Sequence, residues 1–251
     1  MKLSKCANLS ILLGTLLLSV ITLTYWLTYR RSTPTDPPLP TTPEAALTEL
    51  LSGNLRFVNS CRTHSIDTGH DAEERRRTAK GQHPFAAVLC CSDSRVCPEF
   101  IFDQKPGSIF EVRNAGNVVD EDVLASLEYA VEHLHVPLVV VLGHKRCGAI
   151  EAVCEAGEKP LHNHLRALQT HMQGIHQQVI ECHHRHDTQN AEVVNRLAEE
   201  NAKQQAFRVL RESQPIQAAV SRGEVLLIYG MYDLETGQVV ISQLAHAQTH
   251  N

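Results

Sequence analysis

The stretch FAAVLCCSDSR, Phe85 to Arg95, is the most informative part of the sequence. It begins as an unbroken apolar run and then changes abruptly to polar residues, which is typical of a strand that is buried on both faces and ends in a loop. A second run of the same kind, PLVVVLG from Pro137 to Gly143, is followed by HKRCGA. Two such strands indicate a parallel sheet, because parallel sheets are normally covered on both sides.

Helical patterns alternate with these strands. TPEAALTELLSGNLRFV begins with Thr42 as a helix cap, and DEDVLASLEYAVEHLH, from Asp120 to His135, places its apolar residues on one face. SIFEVRN predicts another buried strand, and EVLLIYGMYDLETGQVVISQ predicts a hairpin near the C-terminal end. One long amphipathic helix is predicted from Leu161 to Val179 and another helix from Asn190 to Glu212. The sequence therefore predicts an α/β fold, with a parallel-core β-sheet, flanking helices and a C-terminal hairpin.

The chain begins with an apolar segment. Leu9 to Tyr29 contains no charged residue and is about as long as a helix that crosses a bilayer. Residues 1–31 are predicted to be a signal peptide or an uncleaved membrane anchor, and the lack of a clear cleavage site favours the anchor. A Pro-rich linker is predicted over residues 32–43 and a single folded domain over 44–251. We expect this domain to be exported, either free in the periplasm or anchored to the membrane and facing the periplasm.

The bulk composition argues against one class of partner. A formal net charge of -5 and an isoelectric point near 6.3 give no electrostatic footprint for nucleic acid. The eight cysteines and fifteen histidines are more informative, because these residue types bind metals.

Three of these residues follow the two buried strands. Cys91 ends the first apolar run, and His144 and Cys147 follow the second. The carboxyl ends of parallel strands lie at one edge of a sheet, so we expect the three side chains to meet there. Two cysteines and one histidine suit tetrahedral Zn²⁺ with one position left open, and an open position is characteristic of a catalytic site.

Two further polar residues accompany the first ligand. In CSDSR, Asp93 and Arg95 alternate with Cys91 and are expected to project to the same side. A guanidinium can pair with a carboxylate through two parallel hydrogen bonds. Held in this way, Asp93 stays ionised and can orient a nucleophile beside the metal, so both residues are predicted to be catalytic.

These motifs resemble those of the β-class carbonic anhydrases. The similarity rests on CSDSR, VRNAGN, LEYAVEHL and GHKRCGA and extends over Pro43 to Gln243. It implies zinc bound by Cys91, His144 and Cys147, and reversible hydration of carbon dioxide to bicarbonate and a proton through zinc-bound hydroxide. It also implies a homodimer or homotetramer with active sites at the dimer interface.

The resemblance also suggests a substrate pocket. It assigns substrate contacts to Gln82, Phe110, Ala115, Tyr129 and Gly148. Plain core packing accounts nearly as well for Phe110 and Tyr129. In some members of the family the aspartate closes the site by binding zinc, but FEVRN lacks the His-Arg pair associated with that subset. We therefore expect an open site with water as the fourth ligand.

Three other functions are considered. A carbon disulfide or carbonyl sulfide hydrolase on the same scaffold would share the metal site, and the sequence discriminates poorly against it. A catalytically inactive, zinc-stabilised binding module has no structural need for Asp93 and Arg95. A cysteine-nucleophile or redox enzyme would use the adjacent Cys90 and Cys91, which do not have C-x-x-C spacing.

Other cysteines and histidines have no fixed role in the sequence. Seven histidines lie between His162 and His186, and they suit a proton shuttle, metal capture or simply a solvated helix face. Cys90, Cys97 and Cys154 are interpreted as small core residues. Cys61 and Cys182 are uncommitted, and an oxidising compartment would allow a disulfide, which can also involve Cys154.

Overall fold

Two fully buried strands form the centre of the sheet. They are β1 (Ala86–Cys91) and β3 (Leu138–His144), and they run parallel, with Ala87 opposite Val139. On the outer sides, β2 (Ile109–Asn114) pairs with β1 and β4 (Leu226–Tyr232) pairs with β3, again in parallel. The predicted parallel core is confirmed.

The last strand is antiparallel. β5 (Val239–Gln243) pairs with β4 and places Val239 opposite Tyr232, so the strand order is β2-β1-β3-β4-β5. Asp233 shapes the connecting turn, since its Oδ1 accepts hydrogen bonds from the backbone N–H groups of Glu235 and Thr236 at 2.9 and 3.3 Å. This is the hairpin that the sequence predicts.

This architecture comes from a computed structural model that describes residues 19–20, 22–24, 38–64, 75–76, 78–187 and 190–244. The helices of the domain, in chain order, are α1 (Pro43–Val58), α2 (Pro98–Ile101), α3 (Glu121–Glu132), α4 (Gly148–Ala156), α5 (Arg166–His171), α6 (His176–His184), α7 (Ala191–Glu212) and α8 (Gln214–Ser221). Short 3-10 turns occupy Ala115–Asn117, Asn163–Leu165 and Gln173–Ile175.

Helices cover both faces of the sheet. Alternate residues of β1 and β3 point to opposite sides, so Leu89 and Val141 join the core beneath α3, α7 and α8, whereas Val88 and Val140 join the core beneath α1 and α2. A third apolar cluster, built mainly from α4, α6 and α7, lies beside the carboxyl end of β1 and includes Cys91. The central strands are therefore dry on both sides, as their apolar runs indicate.

Polar side chains start the predicted helices. The hydroxyl of Thr42 accepts a hydrogen bond from Ala45 N at 3.3 Å, and Asp120 Oδ1 accepts one from Val123 N at 2.9 Å. Asn190 caps α7 in the same way through Glu192 N at 3.1 Å. Each cap satisfies an amide that the first turn of a helix otherwise leaves unpaired.

The prediction of one long helix from Leu161 to Val179 is wrong. The segment instead contains α5, the start of α6 and two 3-10 turns. The backbone leaves the helical region at Met172 (φ -96°, ψ 21°), and a Cβ at Gly174 would lie only 2.9 Å from side-chain carbons of Gln204. This break allows Met172 and Ile175 to be buried together, although their spacing also fits a continuous helix.

The N-terminal predictions lie almost wholly outside the described residues. The chain divides into one unit from Met1 to Pro38 and another from Leu39 to Asn251. In the first unit, the described residues 19–20 and 22–24 are helical. Among the described residues, none of the helices has the length and apolar character required to span a bilayer. Most of the leader (1–31) and the first half of the linker (32–43) remain sequence predictions.

A buried carboxylate fixes the segment after α1. Asp103, whose side chain is fully buried, accepts hydrogen bonds from Arg56 Nε at 2.6 Å, from Thr63 N at 3.0 Å and from His64 N at 2.9 Å. Burial alone would raise the pKa of the Asp103 carboxyl, but these donors outweigh it and hold the pKa below its ordinary value.

Replacing this carboxylate should destabilise the fold. Asp103→Asn removes the charge that faces Arg56, and we expect a loss of about 3 kcal/mol in the free energy of unfolding at neutral pH. Because folding lowers the pKa of Asp103, its ionised form stabilises the folded state at pH values above the unfolded pKa of about 3.9. This contribution is lost as the pH falls through the pKa of the folded state. Urea titrations should therefore show the gap between wild type and variant shrinking below about pH 4. Glu224→Gln, in an exposed ion pair with Arg222, is the matched control and should leave the midpoint unchanged.

Candidate metal centre

The three predicted ligands converge at the carboxyl edge of the sheet. Cys91 is the last residue of β1, His144 is the last residue of β3, and Cys147 caps α4. One ligand atom from each of the three residues lies within 4.8 Å of the other two, and all three side chains are buried. The predicted convergence of two distant segments is confirmed.

The imidazole of His144 is prepared to bind a cation. Its Nδ1 lies 2.9 Å from the carbonyl oxygen of Lys145, so Nδ1 carries the proton and donates it there. Its Nε2 is buried and has no hydrogen-bond partner. A buried nitrogen lone pair without a donor is costly unless a ligand meets it. The orientation of this ring therefore fits a metal ion, and its backbone contact sets the tautomer that a metal requires.

The two thiols of the metal centre, Cys91 and Cys147, shift each other's pKa. A hydrogen bond from Cys147 lowers the pKa of Cys91, against the opposing effect of burial, and the N–H of Gly116 also donates to Cys91 Sγ at 3.3 Å. The same pairing, together with burial, raises the pKa of Cys147. Two sulfurs and an imidazole nitrogen around one buried point are a donor set that Zn²⁺ favours, and the cation would replace the shared proton.

Asp93 and Arg95 form the predicted pair beside these ligands. Arg95 Nε donates to Asp93 Oδ1 at 2.9 Å and Arg95 Nη2 donates to Asp93 Oδ2 at 2.7 Å. The Arg95 amide adds a bond to Oδ1 at 2.9 Å. The Arg95 guanidinium therefore holds the pKa of the Asp93 carboxyl well below its usual range. The carboxylate is ionised and fixed in place.

Comparisons with known proteins agree with this geometry. A family model described as carbonic anhydrase matches residues 86–239, which include all three ligands. The chain belongs to the β-class carbonic anhydrase family. It is 48% identical to carbonic anhydrase 2 of Mycobacterium tuberculosis over 46% of this chain and 55% of the relative, and 47% identical to a carbonic anhydrase of Mycolicibacterium smegmatis over 47% and 57%. The chain thus spans about half the length of these relatives.

A solved structure extends the similarity beyond the matched segment. The β-carbonic anhydrase CafA of Aspergillus fumigatus is 30% identical, with a TM-score of 0.60 over 79% of this chain and 91% of that one. The sheet and its flanking helices are therefore those of the β-carbonic anhydrase fold.

The structure adds supporting residues that the sequence analysis missed. The 3-10 turn that contains Gly116 is fixed by α7, because Asn201 Nδ2 donates a hydrogen bond to the Gly116 carbonyl oxygen at 2.9 Å. Gln205 Nε2 donates to Asn201 Oδ1 at 3.1 Å, and Gln205 Oε1 accepts from Val119 N at 2.8 Å. Both side chains are buried on α7. In the sequence, these residues could have been found as polar positions on the apolar face of a long predicted helix.

Loosening this support should weaken the metal centre of the β-carbonic anhydrase. In Asn201→Ala, the Gly116 carbonyl and Gln205 lose a partner, so the amide that donates to Cys91 Sγ is no longer fixed. Because such outer hydrogen bonds are worth about 10- to 100-fold in metal affinity, we expect zinc to be lost to a chelator at a correspondingly lower concentration. Lys203→Ala, a half-buried position on the same helix, is the matched control. Equal zinc affinity in the two variants would contradict this role.

A second missed residue is Arg113 at the end of β2. Its Nη2 donates to the carbonyl oxygen of Asp93 at 3.0 Å and to that of Cys91 at 3.4 Å. It therefore fastens the loop after β1 to the neighbouring strand. In the sequence, VRNAGN contributes to the family resemblance, but the motif alone predicts no role for Arg113.

The predicted pocket residues are divided in the single chain. Ala115 and Gly148 are exposed next to Gly116 and Cys147 at the metal centre, and a Cβ at Gly148 would meet open space. Gln82 is exposed in the loop before β1. Phe110 lies in the amino half of β2 and contacts Tyr129 of α3, with ring centroids 6.1 Å apart, and Tyr129 is 46% exposed. The chain therefore does not gather these five residues around its own metal ligands.

The adjacent thiol Cys90 does not share the site. It is fully buried in the apolar core beneath α1 and α2, whereas Cys91 lies in the cluster beside the metal centre. Burial raises the pKa of Cys90. The two cysteines point to different sides of the sheet, which argues against a redox or nucleophilic pair formed by them.

Proposed function

We propose that this protein is a zinc enzyme that interconverts carbon dioxide with bicarbonate and a proton. The observation that carries the proposal is the convergence of Cys91, His144 and Cys147, with the His144 Nε2 lone pair buried and unpaired. The fixed Asp93–Arg95 pair two residues beyond Cys91 supports a catalytic role over a structural one.

The residues present account for the steps of such a reaction. When bound, zinc lowers the pKa of a coordinated water so that a nucleophile is available near neutral pH. Cys91, Cys147 and His144 would hold the ion, and the two thiolates offset its charge. Asp93 would accept a hydrogen bond from the attacking water at a carboxylate oxygen and so direct the oxygen lone pair at carbon dioxide. Arg95 keeps that carboxylate ionised and oriented.

We further propose that the site is open. Both oxygens of Asp93 are engaged by Arg95, three hydrogen bonds in all, which supports a carboxylate that stays off the metal and leaves a position for water. An Asp93 oxygen bonded to zinc in a crystal structure at neutral pH would contradict this proposal.

The pocket is proposed to be completed by a second copy of the chain. Phe110 and Tyr129 contact each other, and Tyr129 is half exposed, which supports a role in a homodimer or homotetramer rather than in the core. Sedimentation of the purified protein should give a dimer or a multiple of it. Tyr129→Ser should weaken this association and raise KM, whereas a monomer with full activity would refute the arrangement.

A direct assay tests the proposed activity. The full chain should contain about one zinc per protomer, as expected from one three-ligand site, and should accelerate carbon dioxide hydration in stopped-flow measurements. Carbon disulfide offered to the same preparation distinguishes the alternative hydrolase. Zinc-loaded protein that hydrates no carbon dioxide would overturn the proposal.

Export of the domain is proposed on the sequence alone. The apolar Leu9 to Tyr29 segment supports a signal peptide or an anchor, which would place the catalytic domain in or facing the periplasm. Fractionation of cells that express the full chain tests this, and recovery of all the protein in the cytosolic fraction would contradict it.

A further inference from the structure

Two thiols outside the metal centre lie on neighbouring helices that contact each other. Cys154 is on α4 and Cys182 is on α6, and both belong to the apolar cluster beside the metal centre. Cys154 is fully buried and Cys182 is 3% exposed. Burial raises the pKa of both thiols, and each thiol also influences the pKa of the other. The metal centre does not use either of them.

Neighbouring contacts hold the two helices together at this point. His183, the residue after Cys182, places its Nδ1 3.1 Å from the carbonyl oxygen of Cys154 and so binds the backbone of that cysteine. Gly157 follows α4 directly, and a Cβ there would lie 2.6 Å from the ring of His183. The close approach of α4 and α6 next to the two thiols is therefore fixed by His183.

We propose that Cys154 and Cys182 form a disulfide bond when the protein is in an oxidising environment. Two S–H bonds break and one S–S bond forms, and the two protons and two electrons pass to an oxidant of the disulfide class, such as oxidised glutathione, which leaves as two thiols. The sequence offered Cys61 and Cys182 as uncommitted residues. Cys61 is exposed near the end of α1, and the structure gives Cys182 a different neighbour.

Access to the pair is through Cys182. Its side chain is in the wall of a cavity of about 340 Å³ between α6 and α7, which is also lined by Arg185, Arg196 and Glu200. A small disulfide that enters this cavity would reach Cys182 first and form a mixed disulfide. Cys154, which has no solvent exposure, would then displace the leaving thiol and close the bond.

The bond would join α4, which begins directly after the metal ligand Cys147, to the segment from 162 to 186 that contains seven histidines. The stretch from 157 to 187 contains only short helices and 3-10 turns. Cross-linking restricts the unfolded chain over the whole loop between the two cysteines, so the main effect should be on stability. We expect the midpoint of thermal unfolding to rise on the order of 5–10 °C.

The test uses zinc-loaded full-length protein equilibrated with oxidised or reduced glutathione. Free thiols are blocked with N-ethylmaleimide in denaturant, and peptides are identified by mass spectrometry after cleavage at arginine and glutamate. Cleavage after Glu151 separates Cys147 from Cys154, so a link to each of them is distinguishable. The expected product is a peptide pair that joins Cys154 to Cys182 in the oxidised sample only.

Variants separate this bond from other effects of oxidation. In wild type and in Cys61→Ser, the oxidised protein should unfold at a higher temperature than the reduced protein. In Cys154→Ala and Cys182→Ala the difference should vanish. Maleimide on both Cys154 and Cys182 of oxidised wild type, or a link from Cys182 to another cysteine, would overturn the proposal even if the variants do not fold. None of these outcomes depends on carbon dioxide hydration, so the proposed function is tested separately.

Discussion

Replacing Cys147 by serine should give a folded protein that holds no zinc and does not hydrate carbon dioxide. A hydroxyl at this position cannot supply the thiolate, and only Cys91 and His144 would remain of the donor set. Metal catalysis of this kind contributes several kcal/mol of transition-state stabilisation, so we expect activity to fall by about 1000-fold or more.

The measurement is zinc content per protomer together with stopped-flow hydration. Cys61→Ser is the matched control, because Cys61 is exposed and distant in sequence from the ligands, and it should keep both the zinc and the activity. Circular dichroism establishes whether Cys147→Ser is folded. Full zinc occupancy with unchanged turnover in this variant would contradict the assignment of Cys147 as a ligand.

The position of the metal centre could be predicted because two kinds of local information coincide. An apolar run is typical of a strand covered on both faces, and parallel strands end at the same edge of a sheet. Cys91 and His144 are the last residues of β1 and β3, so their encounter follows from the topology alone. The spacing of Asp93 and Arg95 predicted their pairing for a similarly local reason.

The support behind the site could not be predicted in this way. Asn201 and Gln205 are on α7, far along the chain from Gly116. Apart from the bond between the two side chains, their partners are backbone groups, which have no sequence signature. The apolar periodicity of α7 indicates that both residues face inward, but it does not reveal which groups they meet. The approach of α6 to α4, which brings Cys182 near Cys154, could not be predicted either. The predicted helix from Leu161 to Val179 lacks the break at Met172.

Hydrophobic periodicity alone does not predict a helix correctly where tertiary packing favours a different arrangement. The apolar residues from Leu161 to Val179 fit one continuous helical stripe, yet Leu165 is 56% exposed while Met172 and Ile175 are buried. Tertiary contacts decide between one straight helix and two short ones, because each arrangement leaves a different part of the stripe in water. The close contact between Gly174 and Gln204 belongs to the broken arrangement.

Asp93→Asn should reduce turnover sharply while leaving zinc in place. Asparagine has nearly the same shape as aspartate but no charge, so it is a weaker hydrogen-bond acceptor for the nucleophile and loses the two charge-assisted bonds with Arg95. Asp93 does not belong to the group of three ligands, so metal content should be preserved. Misplacing a reacting group by about 1 Å can cost about 100-fold in rate, so we expect kcat to fall by about 100-fold or more.

A double-mutant cycle separates this role from a general loss of structure. Arg95→Gln should also lower kcat, because Arg95 keeps Asp93 ionised and oriented. If the two act as one unit, the double variant should be little worse than Asp93→Asn alone. Asp122→Asn, an exposed carboxylate in the first turn of α3, is the matched control and should not change kcat. Losses that multiply in the double variant would mean that Arg95 acts on the reaction independently of Asp93, and the paired mechanism would then be wrong.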